Sequence, residues 1–179
     1  RGAFGDFLSR EMAVAILIFA ILFKFTDAFA GVMTEAFVLD LGFSVTEYVV
    51  IIKGVGLAAT LLGGFAGGLI ARAYSMATSL WIGGALQASA NLTFTLQAGL
   101  GHNTAMLTVA IIAENFTSAI GTVIFVAYLS ALCQNPLHTA TQYALLTALS
   151  AFGRTYLSAG SGYVAAAAGL NLFCHYRTP

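Results

Sequence analysis

The chain of 179 residues is 59% hydrophobic and only 8% charged, with a mean hydropathy of +0.90. This composition excludes a water-soluble globule and is typical of an integral membrane protein. Because the 7 basic and 7 acidic residues balance, we expect no nucleic-acid partner.

Long apolar runs dominate the chain from its first dozen residues onward. Residues 1–11 alternate charged residues with Phe and predict a short amphipathic lead-in. Five apolar runs follow, and each is long enough, as a helix, to cross a hydrocarbon core about 30 Å thick. Residues 169–179 are too short and too polar for a further span, so they form a tail. The predicted fold is therefore all-α and integral to the lipid bilayer, with a five-helix transmembrane bundle over residues 12–168. Its spans are residues 12–39, 49–71, 76–98, 104–133 and 139–168.

The basic residues in the short flanks of the spans predict the orientation. Placing the N-terminus inside puts Arg1, Arg10 and Arg72 on the cytoplasmic side and only Arg177 outside. Because basic flanks favour the cytoplasmic side, we expect a cytoplasmic N-terminus.

Six charged residues lie inside the spans, and five of them lie about 10 to 20 Å from the outer ends. A charge at the bilayer centre costs about 2.5 to 3.5 kcal/mol on insertion scales, so it usually faces protein or water and has a function. Asp27 and Glu114 are candidates for proton coupling or ion pairing. Lys24, Lys53 and Arg154 are candidates for binding an anionic solute or for ion pairing. The pairs Lys24 with Asp27 and Arg154 with Glu114 equally fit structural ion pairs, and Lys53 equally fits a side chain reaching the headgroups.

Uncharged polar residues and glycines add further candidates. Gln87 and Asn91 lie four residues apart on one helical face and fit either interhelical hydrogen bonds or solute contacts. Gln142 in the fifth span is a further candidate contact. Two overlapping GxxxG pairs in the second span predict close helix packing. They are formed by Gly63, Gly64, Gly67 and Gly68.

Enzyme activity is not expected. Cys133 and Cys174 have no redox or metal spacing, and we predict no metal and no cofactor. The sequence also has no serine–histidine–acid set and no phosphate-binding loop.

Five short motifs resemble, in their order, the C-terminal half of the AmpG-type muropeptide permeases of the major facilitator superfamily. They are KFTDAFAG at 24–31, LGFS at 41–44, ENFT at 114–117, ATQYALL at 140–146 and GR at 153–154. The resemblance covers about residues 1–165. It implies that the five spans correspond to helices seven to eleven of a twelve-helix transporter.

The resemblance also implies a function and a partner. Permeases of this family import anhydro-muropeptides across the bacterial inner membrane with protons. On this match, Asp27 and Glu114 are candidates for proton or pairing sites, and Lys24, Lys53 and Arg154 are candidates for carboxylate contacts. The N-terminal six-helix half, on the same chain or on a separate subunit, is the expected partner, because such transporters bind solute between two halves.

A structural role is the alternative. Residues 67–72 resemble the cytoplasmic GxLxDR motif of the superfamily, but Ala71 stands where the motif has an acid. The chain would then be a transport-inactive subunit of a larger membrane complex, in the bacterial inner membrane or in the inner membrane of an organelle.

Overall fold

The structure is a computed structural model that describes residues 13–133 and 139–159. Within these two ranges the chain is helical apart from short turns, and it contains no strand. The predicted all-α class is confirmed for this part of the chain. The lead-in over residues 1–11, the tail over residues 169–179 and the end of the fifth predicted span lie outside the described residues. The helices are α1 (Ala13–Asp40), α2 (Val45–Ala73), α3 (Met76–Leu100), α4 (Thr104–Leu132) and α5 (Thr139–Ala159).

Two of these helices, α2 and α4, are long and apolar enough to cross a membrane. Each has 29 residues, which corresponds to roughly 43 Å at the rise of an α-helix and exceeds the hydrocarbon core. The prediction of five spans, and their match to helices seven to eleven of a transporter, stays a prediction.

The chain divides into two compact units. One unit, Phe37–Leu132, holds the end of α1 together with α2, α3 and α4. In the described ranges the other unit consists of residues 13–36, Cys133 and α5.

Helix α4 is the centre of the Phe37–Leu132 unit, because both α2 and α3 pack along it. Helix α2 runs parallel to α4, since Gly63 lies beside Phe116 and Gly67 lies beside Ile120. Helix α3 runs antiparallel to α4, to which the turn at residues 101–103 joins it. Neighbouring helices therefore cover α4 from its beginning to its end, and its buried apolar side chains are Leu107, Ala110, Ile111, Ile120, Ile124, Phe125 and Leu129.

The turn before α2 is closed by local hydrogen bonds. Gly42 has a φ of +87°, which favours glycine. The Ser44 hydroxyl accepts from the Glu47 amide at 3.2 Å, and the Ser44 amide donates to the Glu47 carboxylate at 2.9 Å. This reciprocal capping box begins the helix. Phe43 is buried under the His102 ring, with the two ring centres 4.0 Å apart.

The other unit has polar as well as apolar buried side chains. On α5, Gln142, Leu146 and Ser150 are buried at intervals of four residues and so share one helical face. The Ser150 hydroxyl donates to the Leu146 carbonyl at 2.8 Å. On α1, Ala20 and Thr34 are buried.

Candidate functional site

The middle of α4 carries a run of polar side chains. Glu114 and Asn115 are both half-buried, and Thr117 is buried. The Thr117 hydroxyl forms its donor hydrogen bonds within the helix, to the carbonyl of Ala113 at 2.9 Å and to that of Glu114 at 3.2 Å. The Glu114 carboxylate and the Asn115 carboxamide are the other two polar groups of this run.

Asn115 bridges α4 and α2. Its Nδ2 donates to the Ile111 carbonyl at 2.8 Å, which fixes the orientation of the amide on its own helix. Its Oδ1 accepts from the Thr60 hydroxyl at 3.3 Å. The same hydroxyl donates to the Gly56 carbonyl at 2.9 Å, so one hydrogen is shared between two acceptors. Gly56 lies against the amide, since an added Cβ would be 3.4 Å from Nδ2.

Helix α2 is interrupted by a π-helical turn at Ile52–Gly56. The Leu57 amide donates to the Ile52 carbonyl, five residues back, instead of to the carbonyl four residues back. Turns of this kind are frequent at functional sites. Lys53 lies in this turn, and its side chain is exposed.

The two predicted amides of α3 differ in exposure. Gln87 is half-buried, and among the described residues its Nε2 is buried without a hydrogen-bond partner. Asn91 is exposed. Gln87 lies one turn after Gly83. An added Cβ on Gly83 would be 3.6 Å from the Gly121 Cα of α4. Gln87 therefore lies near the α3–α4 contact and Asn91 lies towards the surface of this unit.

The four glycines of α2 fall into two groups. A Cβ on Gly63 would collide with the backbone oxygen of Phe116 and lie 2.9 Å from its carbonyl carbon. A Cβ on Gly67 would be 2.9 Å from the Ile120 Cα and carbonyl oxygen. By contrast, a Cβ on Gly64 would only touch a Val123 methyl at 4.0 Å, and a Cβ on Gly68 would have no atom within 4 Å. The close approach of α2 to α4 thus depends on Gly63 and Gly67.

Four predicted site residues belong to the other unit. Lys24 and Asp27 lie on α1, and Arg154 lies on α5, but their side chains are outside the described part of the structure. Gln142 is described and is 1% exposed. The placement of Lys24, Asp27 and Arg154 around a solute stays a prediction.

Sequence reasoning missed Thr60 and the bridging role of Asn115. Both residues are uncharged, and a single Thr in an apolar span carries no signal of its own, because its hydroxyl commonly bonds within the helix. The signal that could have found the pair is the position of Asn115 directly after Glu114 and of Thr60 one turn after Gly56. Neither position indicates the π turn.

Across residues 13–133 and 139–159, no group of three or more His, Cys, Asp or Glu side chains is placed to hold a metal ion.

The sequence matches no protein-family model. It is, however, 37% identical over 169 residues to the anhydromuropeptide permease of Escherichia coli K12, an alignment that covers 94% of this chain and 34% of that protein. It is 40% identical over 147 residues to the putative transporter AmpG 4 of Rickettsia felis, covering 82% of this chain and 35% of that protein. Over 165 residues it is 30% identical to the putative transporter AmpG 1 of Rickettsia prowazekii, covering 92% and 37%.

The chain spans about a third of the length of these relatives. Their names are those of permeases and transporters, as expected for a chain without enzyme activity. The predicted resemblance is thus confirmed: over most of its length, this chain is a homologue of part of the AmpG-type permeases.

Proposed function

We propose that this chain is the C-terminal half of a proton-coupled membrane permease for peptidoglycan fragments, anhydro-muropeptides or a related anionic solute, of the major facilitator type. The observation that carries the proposal is the 37% identity over 169 residues to an anhydromuropeptide permease. The two long apolar helices are consistent with residence in a membrane, which for such a permease is the bacterial inner membrane.

The charged residues supply the proposed chemistry. Asp27 and Glu114 carry the proton, because acidic residues within membrane spans commonly form the proton relays of transporters. Lys24, Lys53 and Arg154 contact the anionic groups of the solute. In support, Glu114 is half-buried beside the interhelical bridge of Asn115, and Lys53 is exposed on α2.

The transport step needs a second half. Facilitators bind solute at the bilayer midplane between two halves and rock one half against the other. The partner of this chain is therefore the N-terminal six-helix half, on the same chain or as a separate subunit, with the N-terminus of residues 1–179 in the cytoplasm.

Uptake of labelled anhydro-muropeptide tests this proposal, in cells that lack their own permease, produce this chain assembled with its N-terminal half and experience an imposed pH gradient. We expect Asp27→Asn and Glu114→Gln to abolish uptake while the amount of protein in the membrane stays the same. Glu35→Gln is the matched control, because Glu35 is an exposed acid on α1. Full uptake in both site variants would contradict proton coupling at these residues.

A transport-inactive structural subunit is the second candidate, favoured by Ala71 in place of the acid of the cytoplasmic loop motif. An assembled parent protein without uptake, held in a large complex that contains no second transporter half, would support it. Native mass spectrometry in detergent distinguishes the two candidates.

A further inference from the structure

We propose that Thr60 and Asn115 are positioning residues for Lys53. Their hydrogen bonds hold the π turn of α2, and this turn directs the Lys53 ammonium away from the contact between α2 and α4 and towards an anionic group of the solute. The inference rests on the proposed function, because it assigns to Lys53 the solute contact.

The π turn changes the direction of Lys53. In an unbroken α-helix, Lys53 would share a face with Gly56, Gly63 and Gly67, at intervals of three, ten and fourteen residues. That face is the one buried against α4. One extra residue in the turn rotates the preceding segment by about 100°. Lys53 is accordingly exposed, while Gly56 is buried.

The turn itself has little intrinsic stability. Gly54 and Gly56 are poor helix formers, and an added Cβ at Gly54 would meet nothing within 4 Å. Glycines at these two positions allow the backbone to adopt either the π or the α arrangement without a steric preference. The choice must therefore come from contacts made by neighbouring side chains.

Thr60 and Asn115 provide those contacts. The Thr60 hydroxyl donates to the carbonyl of Gly56, the last residue of the turn, at 2.9 Å. It also reaches the Asn115 Oδ1 at 3.3 Å, and Asn115 is anchored on α4 by its 2.8 Å bond to the Ile111 carbonyl. A chain of hydrogen bonds thus connects the end of the turn to the neighbouring helix.

The direction of Lys53 matters because of its charge. Returned to the α2–α4 contact, the ammonium would lie towards the side that packs against Ile111, where desolvation is costly. Exposed on α2 in a membrane, it requires water, headgroups or an anion. An anionic solute group meets this requirement at the depth predicted for Lys53.

Thiol labelling of the full chain in membrane vesicles tests the positioning. In a background with Cys133→Ser and Cys174→Ser, the thiol introduced by Lys53→Cys is treated with a charged, membrane-impermeant methanethiosulfonate. We expect rapid modification in this parent. Thr60→Val and Asn115→Ala should each slow modification at least several-fold, because the segment before the turn rotates back towards α4.

Two controls separate positioning from general loosening. Thr60→Ser keeps the hydroxyl and should be modified as fast as the parent. Thr108→Val removes a hydroxyl that bonds only within α4, to the Thr104 carbonyl, and should have no effect. Unchanged labelling in both Thr60→Val and Asn115→Ala, or equal slowing in Thr108→Val, would overturn the proposal.

Uptake kinetics give the functional readout. Lys53→Gln and Asn115→Ala should each raise the KM for the anionic solute about tenfold while Vmax stays close to that of the parent, as expected for the loss of one charge-assisted contact. The double variant should be no worse than Lys53→Gln alone, because the two residues act through one contact. Additive losses would overturn the proposal. Absence of uptake in the parent would instead contradict the proposed function, and the labelling result would still decide whether the two residues direct the side chain.

Discussion

At the scale of single residues, the α2–α4 contact requires positions without a Cβ atom, which only glycine provides. We expect Gly63→Ala to lower the free energy of unfolding by about 1–3 kcal/mol, because its methyl would collide with the Phe116 backbone, which cannot move without shifting α4. Gly68→Ala is the matched control and should be neutral, since its methyl would enter open space. Thermal unfolding in detergent measures both variants. Equal stability of the two would mean that the close approach is not rigid.

Gln97 is a second residue whose side chain stabilises the structure, here through hydrogen bonds of its amide group. It is fully buried, and its Nε2 donates to the carbonyls of Gly101 at 2.9 Å and Asn103 at 3.3 Å. We expect Gln97→Leu to destabilise the protein by about 1 kcal/mol, although leucine is more apolar, because each carbonyl loses its side-chain donor and keeps only a backbone donor. Asn91→Leu, at an exposed position of the same helix, should be neutral or stabilising in detergent unfolding. A stable Gln97→Leu variant would indicate that water replaces the lost donor.

At the scale of helices, the beginning of α2 is set by one cap. The Ser44 hydroxyl and the Glu47 carboxylate exchange hydrogen bonds with each other's backbone amides. We expect Ser44→Ala to cost about 1 kcal/mol of stability and to speed hydrogen exchange in the first turn of α2. Thr46→Ala, an exposed neighbour inside that turn, is the control. Exchange that is equally fast in both variants would show that the cap does not hold the helix end.

The same cap shows what sequence reasoning captures and what it misses. Hydropathy predicts a second span from Val49, whereas α2 begins at Val45, because a helix extends to its cap and not only to the edge of its apolar run. The all-α class follows from composition, since apolar runs of this length leave few other folds. The turn at residues 41–44 is also evident in the sequence.

The π turn and the bridge across to α4 could not be predicted. A single inserted residue leaves the hydropathy pattern unchanged, and Thr60 and Asn115 are 55 positions apart, so only tertiary packing brings them together. The GxxxG pairs indicate close packing, but four glycines on two faces do not reveal that Gly63 and Gly67, and not Gly68, face the partner helix. Glu114 is a predicted site residue because a charge in an apolar span is conspicuous, whereas the uncharged Asn115 beside it entered the prediction only as part of the ENFT motif.

At the scale of the whole molecule, function depends on what the chain assembles with. Its alignments cover 34–37% of the named relatives described above, and transporters of the proposed type need two halves that move against each other. We expect residues 1–179 produced alone to insert into the membrane but to support no uptake. Co-production with the remaining part of the Escherichia coli permease should restore measurable uptake if the two halves recognise each other.

The control for this reconstitution is the same pair with Glu114→Gln, which should assemble but not transport, because the proposed proton carrier is lost while the helix contacts stay. Co-purification measures assembly, and labelled anhydro-muropeptide measures uptake. Uptake by residues 1–179 alone would contradict the two-half mechanism. Assembly of the parent pair without uptake would favour the structural subunit, and the charges within the spans would then be contacts between helices instead of parts of a transport path.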